Sequence, residues 1–331
     1  MKALVYTAPE TFAFRDVPDP VPADGELLIR VDSVGICGSD MHAYRGHDGR
    51  RPAPLILGHE AAGTIHGGPR DGERVTVNPL VTCGTCPACR SGRDNLCERR
   101  QIISMPPREG AFAEWLCMPE RNLVAIPDHV TTAQAALAEP IACGWHAVRL
   151  GLEKSGGDPA TGRAMIFGGG AIGLGAALSL AAQGMSDVTL VEPNPARRAF
   201  LRDHCGQKVL ANDNLPAGEE FDIVLDGVGY AATRATASAF VRPGGLILHI
   251  GLGEDEGGLD IRRMTLQEIT FIGTYTYTAE DFRQTARAIF DGRLGPLDWT
   301  ESRPLAEGAR AFDDIRSGRT AAPKTLLIPR F

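Results

Sequence analysis

Two short stretches near the start of the chain hold side chains whose chemistry could converge. Gly35-Ile36-Cys37-Gly38-Ser39-Asp40-Met41-His42 is followed, after a loop, by Gly58-His59-Glu60. Cys37, His59 and Glu60 supply a thiolate, an imidazole and a carboxylate, the ligand types of an open catalytic zinc site. Ser39 and His42 lie just beside Cys37, and a hydroxyl and an imidazole in series can conduct a proton to solvent. A lone Cys or His is ordinarily a core or satisfied polar residue; here it is the joint occurrence that points to a metal centre.

A second cluster is tighter. Cys83, Cys86, Cys89 and Cys97 form C-x2-C-x2-C-x7-C. Four thiolates gathered by such short loops suit a closed, structural tetrahedral zinc site. Disulfides between cysteines three apart would be strained. The rival is an iron–sulfur cluster, but that motif continues with x3-C-P, and here the spacing is x7 with no Pro after Cys97. Such a closed site serves folding, not chemistry.

The third feature is Gly168-Gly169-Gly170-Ala171-Ile172-Gly173, a G-x-G-x-x-G between an expected strand and an expected helix. Gly168, Gly170 and Gly173 allow a tight turn and close approach of backbone to a pyrophosphate, with Ala171 and Ile172 opening the helix whose N-terminus faces the phosphates. Glu192 ends the next strand, where a carboxylate accepts hydrogen bonds from ribose hydroxyls and repels a 2′-phosphate. That favours NAD over NADP, although Arg197 and Arg198 offer guanidinium groups that can hold a phosphate.

The elements that position these groups fall into two rhythms. Before residue 140, short β-type runs such as Leu27 to Val31 and Glu73 to Val77 alternate with Gly/Pro clusters, and Ala138 to Leu150 reads as a helix. From residue 164, strands and helices alternate: Met165 to Phe167, Ala171 to Gln183, Val188 to Val191, Pro195 to His204, Asp222 to Leu225 and Leu246 to Ile250. Alternation implies right-handed crossovers and a parallel sheet. Thr278-Ala279-Glu280-Asp281 reads as a capping box opening a helix that ends near Gly292. The nearly apolar stretch from Ala164 to Met185 is long enough to suggest a membrane span, but three glycines divide it, so a strand, a turn and a small-residue helix fit better.

Composition narrows the class. With 331 residues, two domains are expected. Glycine, at 39 residues, exceeds the usual share of about 7% without any Gly-X-Y repeat. A net charge of −7 opposes non-specific binding to nucleic acid. The first residues turn polar by Thr7 and do not read as a signal peptide, which makes the cytoplasm the expected compartment and free thiols the expected state.

Taken with Ala138-Glu139-Pro140, these motifs stand in an order that resembles the zinc-dependent medium-chain alcohol/polyol dehydrogenase family, with its sorbitol-, L-idonate- and threonine-dehydrogenase-like members. The resemblance covers essentially the whole chain. It implies an α/β protein: a GroES-like β-rich catalytic domain from residues 1–138 and 274–331, and a Rossmann doubly wound parallel-sheet domain from 139–273, with the active site in the cleft. It implies two zinc ions per chain. Cys37 and His59 match catalytic zinc ligands, with Glu60 or Glu139 as the third. Asp40 matches a group that orients the metal-binding His. Ser39 and His42 match the proton relay, which passes through the cofactor ribose.

The function implied is hydride transfer from a polyol or secondary alcohol to NAD, giving a ketone or ketose. Glu139, where simple alcohol dehydrogenases place a cysteine, favours the polyol-type subgroup. Thr276 stands where sorbitol-type enzymes carry a substrate-binding Arg, which argues against sorbitol itself. Phe112 and Tyr275 are candidate pocket residues. The alternatives are an amino-alcohol such as threonine, a sugar phosphate held by Arg45, Arg50 and Arg51, and a non-enzymatic cofactor-binding sensor. The expected partner is a small molecule, with no membrane, and the chain is expected to form a homo-oligomer, a tetramer or a dimer.

Overall fold

The computed structural model describes residues 1–329. The strand Glu26–Gly35 is the spine of the first half of the chain. It pairs antiparallel with Glu60–His66 along one edge, and along the other with Trp115–Pro119 and, at its far end, Lys324–Ile328. Its apolar side chains Ile29, Val31 and Val34 are buried in a core that also takes Leu4 from one end of the chain and Leu327 from the other. Register assembles the site. Gly35 faces Glu60 on one side and Leu326 on the other, so Cys37, Glu60 and Lys324 converge at one end of this sheet.

The second half builds a six-stranded, fully parallel sheet. Its order is Val209–Leu210, Asp187–Val191, Arg163–Phe167, Phe221–Asp226, Val241–His249 and Thr270–Gly273. The chain leaves Arg163–Phe167 first toward one edge and later toward the other, so the order reverses beside this strand. In doubly wound sheets the ligand crevice lies outside the carboxyl ends of the strands at that point. The apolar stretch after Ala164 is the strand Arg163–Phe167, a glycine turn and the helix Ala171–Ala182. That helix is buried on nearly every side, which explains its composition. Among the described residues, no helix is long and apolar enough to cross a membrane.

The long helix Ala138–Ser155 packs on Ala171–Ala182, and Ala279–Phe290 packs against it in turn. One apolar cluster holds Ile141, Trp145, Leu174, Phe282, Ile289 and Trp299. The chain between Gly273 and Trp299 thus contributes Phe282, Ile289 and Trp299 to a cluster that also takes Ala62 and Ile126 from the first half and Ile166 from the parallel sheet. It rejoins the first sheet with Thr300–Pro304, which runs parallel to Lys324–Ile328.

The helix Ala279–Phe290 begins with the expected capping box, Thr278 with Asp281. Asp281 is almost fully buried. Its Oδ2 accepts from Thr278 Oγ1 at 2.7 Å and lies 2.7 Å from His146 Nδ1, and its Oδ1 accepts from Arg149 Nε at 2.6 Å. Burial alone would raise the carboxyl's pKa; the bonds from His146, Arg149 and Thr278 outweigh it and hold it well below the usual range. A depressed native pKa gives stability that is present above the unfolded value and fades as pH falls through the native one. Asp281→Asn is expected to cost about 3 kcal/mol at neutral pH in urea unfolding. Below the ordinary carboxylate range the wild type should converge on the variant; a gap that stays constant into acid would contradict this role.

Candidate active site

Cys37 is the N-cap of the helix Gly38–Tyr44, so the turn that starts the helix also aims the thiol. Asp40 closes that turn, accepting from Cys37 N at 3.0 Å through Oδ2. Its other oxygen accepts from Gly58 N at 3.3 Å and lies 3.4 Å from His59 Nδ1. Asp40 thus joins the two sequence motifs and turns His59 Nε2 toward Cys37 and Ser39. Burial opposes its charge, but His59 and Arg51 outweigh this and lower its pKa. For His59, burial disfavours the charged ring, yet Asp40 and Cys37 raise its pKa well above the ordinary value.

Cys37, His59 and Glu60 place their ligand atoms within 4.8 Å of one another. Glu60 is fully buried. Its Oε1 accepts from Lys324 Nζ at 2.6 Å, while Oε2 has no hydrogen-bond partner. A thiolate, an imidazole and a carboxylate with an unsatisfied buried oxygen fit a zinc ion. The space for this carboxylate comes from Gly35, because a Cβ there would overlap Glu60 Oε2. Lys324 also donates to Ile36 O at 2.8 Å. Burial would lower its pKa, but Glu60 and Cys37 raise it.

A cavity of about 310 Å³ opens beside this cluster and includes Ser39, His42, Glu139 and Tyr275 in its wall. Its volume and mixed lining are those of a small-molecule site. Ser39 Oγ lies 3.4 Å from His59 Nε2 and accepts from Arg51 Nη2 at 3.4 Å. His42 stands one helical turn on; burial, then Arg45 and His47, lower its pKa and favour the neutral ring. Glu139 faces the cavity from the helix Ala138–Ser155, and Tyr277 Oη donates to its Oε1 at 2.7 Å. Burial pushes the Glu139 carboxyl up to about 7. Glu139 is thus near the trio but outside its mutual contact set.

A groove of about 230 Å³ runs from the glycine turn to the same cluster. It shares Cys37, Gly38, Ile172 and Gly227 with the cavity, so the two spaces meet at the thiol. The glycines divide their tasks. Gly168 is left-handed at φ 97°, Gly170 faces open space, and a Cβ at Gly173 would overlap Gly168 O. These are the roles of a turn that receives a dinucleotide pyrophosphate. Ala171, Ile172 and Arg197 also line the groove. Glu192 does not. Its oxygens accept from Gly169 N and Asn194 N, both at 2.8 Å, so the carboxylate braces the turn from behind. Arg197 and Arg198 donate to the backbone carbonyls of Thr320, and of Glu192 and Pro193.

The four-cysteine lobe brings its thiols together without any disulfide. Cys89 Sγ is 3.9 Å from Cys83 Sγ and 3.5 Å from Cys86 Sγ. Four sulfurs about 2.3 Å from one tetrahedral centre would stand roughly 3.8 Å apart, so the set fits zinc. Backbone N–H groups of Thr85 and Cys86 lower the Cys83 thiol, whereas burial and the neighbouring sulfurs raise that of Cys89, so without a cation the four cannot all be thiolates at once.

Phe112 departs from expectation. It is fully buried behind Gly58 and packs edge-on to Phe312, in the core beneath the site and not in the cavity wall. Lys324, Tyr277 and Ser104 escape the sequence motifs; Ser104 Oγ lies 3.4 Å from His59 Nδ1. A larger hollow of about 460 Å³ near Pro107 and Trp115 shares no lining residue with the cavity or the groove. Gly35→Ala is expected to displace Glu60 and lower the metal content of the purified protein, with the fold retained by circular dichroism. Full metal content in that variant would contradict the placement of Glu60.

Comparison with known proteins places the chain. The alcohol dehydrogenase GroES-like domain family matches residues 23–128, and the zinc-binding dehydrogenase family matches residues 171–291. L-galactonate-5-dehydrogenase of Escherichia coli (strain K12) is 31% identical, with 96% of both chains covered. Sorbitol dehydrogenase of Bacillus subtilis (strain 168) is 33% identical over 84% of this chain and 82% of its own. An alcohol dehydrogenase from Thermus sp. ATN1 superimposes with a TM-score of 0.88 at 26% identity, covering 100% of both chains. The chain belongs to the zinc-dependent medium-chain alcohol/polyol dehydrogenases, built from a GroES-like domain and a Rossmann domain.

Proposed function

We propose that this enzyme moves a hydride from a secondary hydroxyl of an unphosphorylated polyol to NAD, giving a ketose or ketone. The observation that carries the reading is the meeting of groove and cavity at Cys37, beside His59, Glu60, Ser39 and His42. Cys37, His59 and Glu60 would hold the catalytic zinc, and Cys83, Cys86, Cys89 and Cys97 the structural one. Glu60 is favoured over Glu139 as third ligand, because it stands in the mutual ligand set with Cys37 and His59 and keeps a buried oxygen, Oε2, without a partner. When bound, zinc supplies Lewis acidity to the substrate hydroxyl and the nicotinamide supplies the hydride acceptor.

The chain's own residues do the rest. Asp40 and Ser104 fix the ring of His59. Arg51 holds Ser39, which is placed to take the hydroxyl proton, and His42, kept neutral, passes it toward solvent. Glu139, with Tyr277, offers a carboxylate that can accept from a neighbouring substrate hydroxyl. Apolar walls from Ile172, Ile250 and Leu252 limit water.

A phosphorylated substrate is less well supported. Arg50 places Nε and Nη2 on Asp48, while Arg51 places Nη1 on Asp48 and Nε on Ser104 O, so both guanidiniums are already engaged. NAD is proposed over NADP because Arg198, a guanidinium that could hold a second phosphate, already donates to the carbonyls of Glu192 and Pro193. We further propose domain limits that follow packing, with 1–137 and 300–329 in the GroES-like unit and 138–299 in the Rossmann unit. A homo-oligomer, dimer or tetramer, is proposed from the open edge at Thr270–Gly273 and from Ile261 and Leu266, which stand 62% and 72% exposed. The cytoplasm remains the proposed compartment.

The test is a screen of three- to six-carbon polyols and secondary alcohols with NAD and NADP in parallel. Turnover with a polyol and NAD is expected, and Cys37→Ala should abolish it while the four-cysteine metal stays. Retained turnover in that variant would refute the site. In sedimentation, a species of at least two chains is expected; a monomer at micromolar concentration would contradict the proposed assembly.

A further inference from the structure

We infer that the four-cysteine lobe positions the substrate cavity: Asp94, Asn95 and Arg100 grip the segment 275–279, whose residues Tyr275, Thr276 and Tyr277 form one wall of that cavity. The inference rests on the reading above that this cavity receives the substrate. The three residues flank Cys97, the last of the four thiols. The grip spans 180 positions of sequence, so no local motif announces it.

Asn95 is only 3% exposed, and its Nδ2 donates to Tyr275 O at 2.8 Å. Both oxygens of Asp94 lie 3.2 Å from Ala279 N, the first residue of the helix Ala279–Phe290, where an anion complements the unpaired N–H groups. Arg100 lays its guanidinium 4.9 Å from the centre of the Tyr275 ring, and its Nε is 3.4 Å from Tyr275 Oη. Its Nη1 donates to Cys97 O at 3.0 Å, tying the contact to the cysteine itself.

What lies between these grips is unusual. Thr276 is a β-branched residue at φ 46°, a backbone region such residues avoid, and its buried Oγ1 has no protein partner. Tyr277, next in line, donates to Glu139. A strained conformation of this kind persists only where the surroundings over-determine it. The lobe holds Tyr275 on one side of Thr276 and, together with the capping box of Thr278 and Asp281, Ala279 on the other.

The lobe has little to hold itself. Its helix Pro87–Arg90 has no buried residue, and in the turn Asp94–Leu96 only Asn95 is buried. Its shape therefore depends on the four sulfurs, and through Asn95 and Arg100 the shape of the cavity wall depends on them too. None of the three gripping residues lines the dinucleotide groove. Asp94, Asn95 and Arg100 act as positioning residues for substrate and leave cofactor binding alone.

The test is Asn95→Ala in the metal-loaded enzyme, with Cys97→Ser as a second variant. For Asn95→Ala, the KM for the polyol is expected to rise roughly tenfold, because a buried carbonyl loses its donor. The KM for NAD and the metal content should stay at wild-type values. Hydrogen exchange at the amides of 275–279 should speed up in both variants, while Arg163–Phe167 stays protected. Unchanged polyol KM together with unchanged exchange at 275–279 overturns the inference. So does a general loss, in which NAD affinity and exchange in the parallel sheet change along with the wall. If no polyol is turned over by the wild type, the functional reading fails, and exchange at 275–279 still decides the grip.

Discussion

The site depends on a buried ion pair. Lys324 and Glu60 meet at 2.6 Å in the interior, 264 positions apart in sequence. Taking both charges out of water costs several kcal/mol per ion, so such a pair is a poor source of stability. It is a good source of definition. It fixes the carboxylate that completes the cluster with Cys37 and His59, and it can form only when the strand Lys324–Ile328 lies in register beside Glu26–Gly35. Correct closure of the first sheet and correct geometry at the cluster are thus one event.

The same economy of space recurs around the cleft. Gly35 leaves room for Glu60, and Gly173 lets the helix Ala171–Ala182 start directly against the glycine turn. Two buried carboxylates then act as braces between segments. Asp40 joins the Cys37 turn to His59, and Glu192 joins the glycine turn to the end of the next strand. Each accepts backbone N–H bonds, which repay the burial of the charge. The reacting groups are therefore held by contacts that cross from one segment to another, and the cleft is shaped before any ligand enters.

Much of this was legible in sequence, because the metal and dinucleotide motifs are local. Cys37, His59, Glu60, the four cysteines, the glycine turn and the Thr278 capping box all announce themselves by spacing. Lys324 carried no such signal: an isolated Lys before an aliphatic run reads as a solvated strand end until the register is known. Tyr277, Asn95 and Ser104 were hidden for the same reason, since each works on a partner distant in the chain. Phe112 was misplaced because an aromatic near a ligand motif can face either the cavity or the core. The packing of the helix Ala279–Phe290 on Ala138–Ser155 was not legible, because an amphipathic helix does not say which core receives its apolar face.

The most direct measurement is anomalous diffraction at the zinc edge from crystals grown with NAD. The expected result is one peak bounded by Cys37, His59 and Glu60, a second among Cys83, Cys86, Cys89 and Cys97, and the nicotinamide at the junction of groove and cavity. A peak at the four cysteines alone, or a first peak bound by Glu139 with Glu60 left on Lys324, would contradict the assignment of Glu60 to the metal.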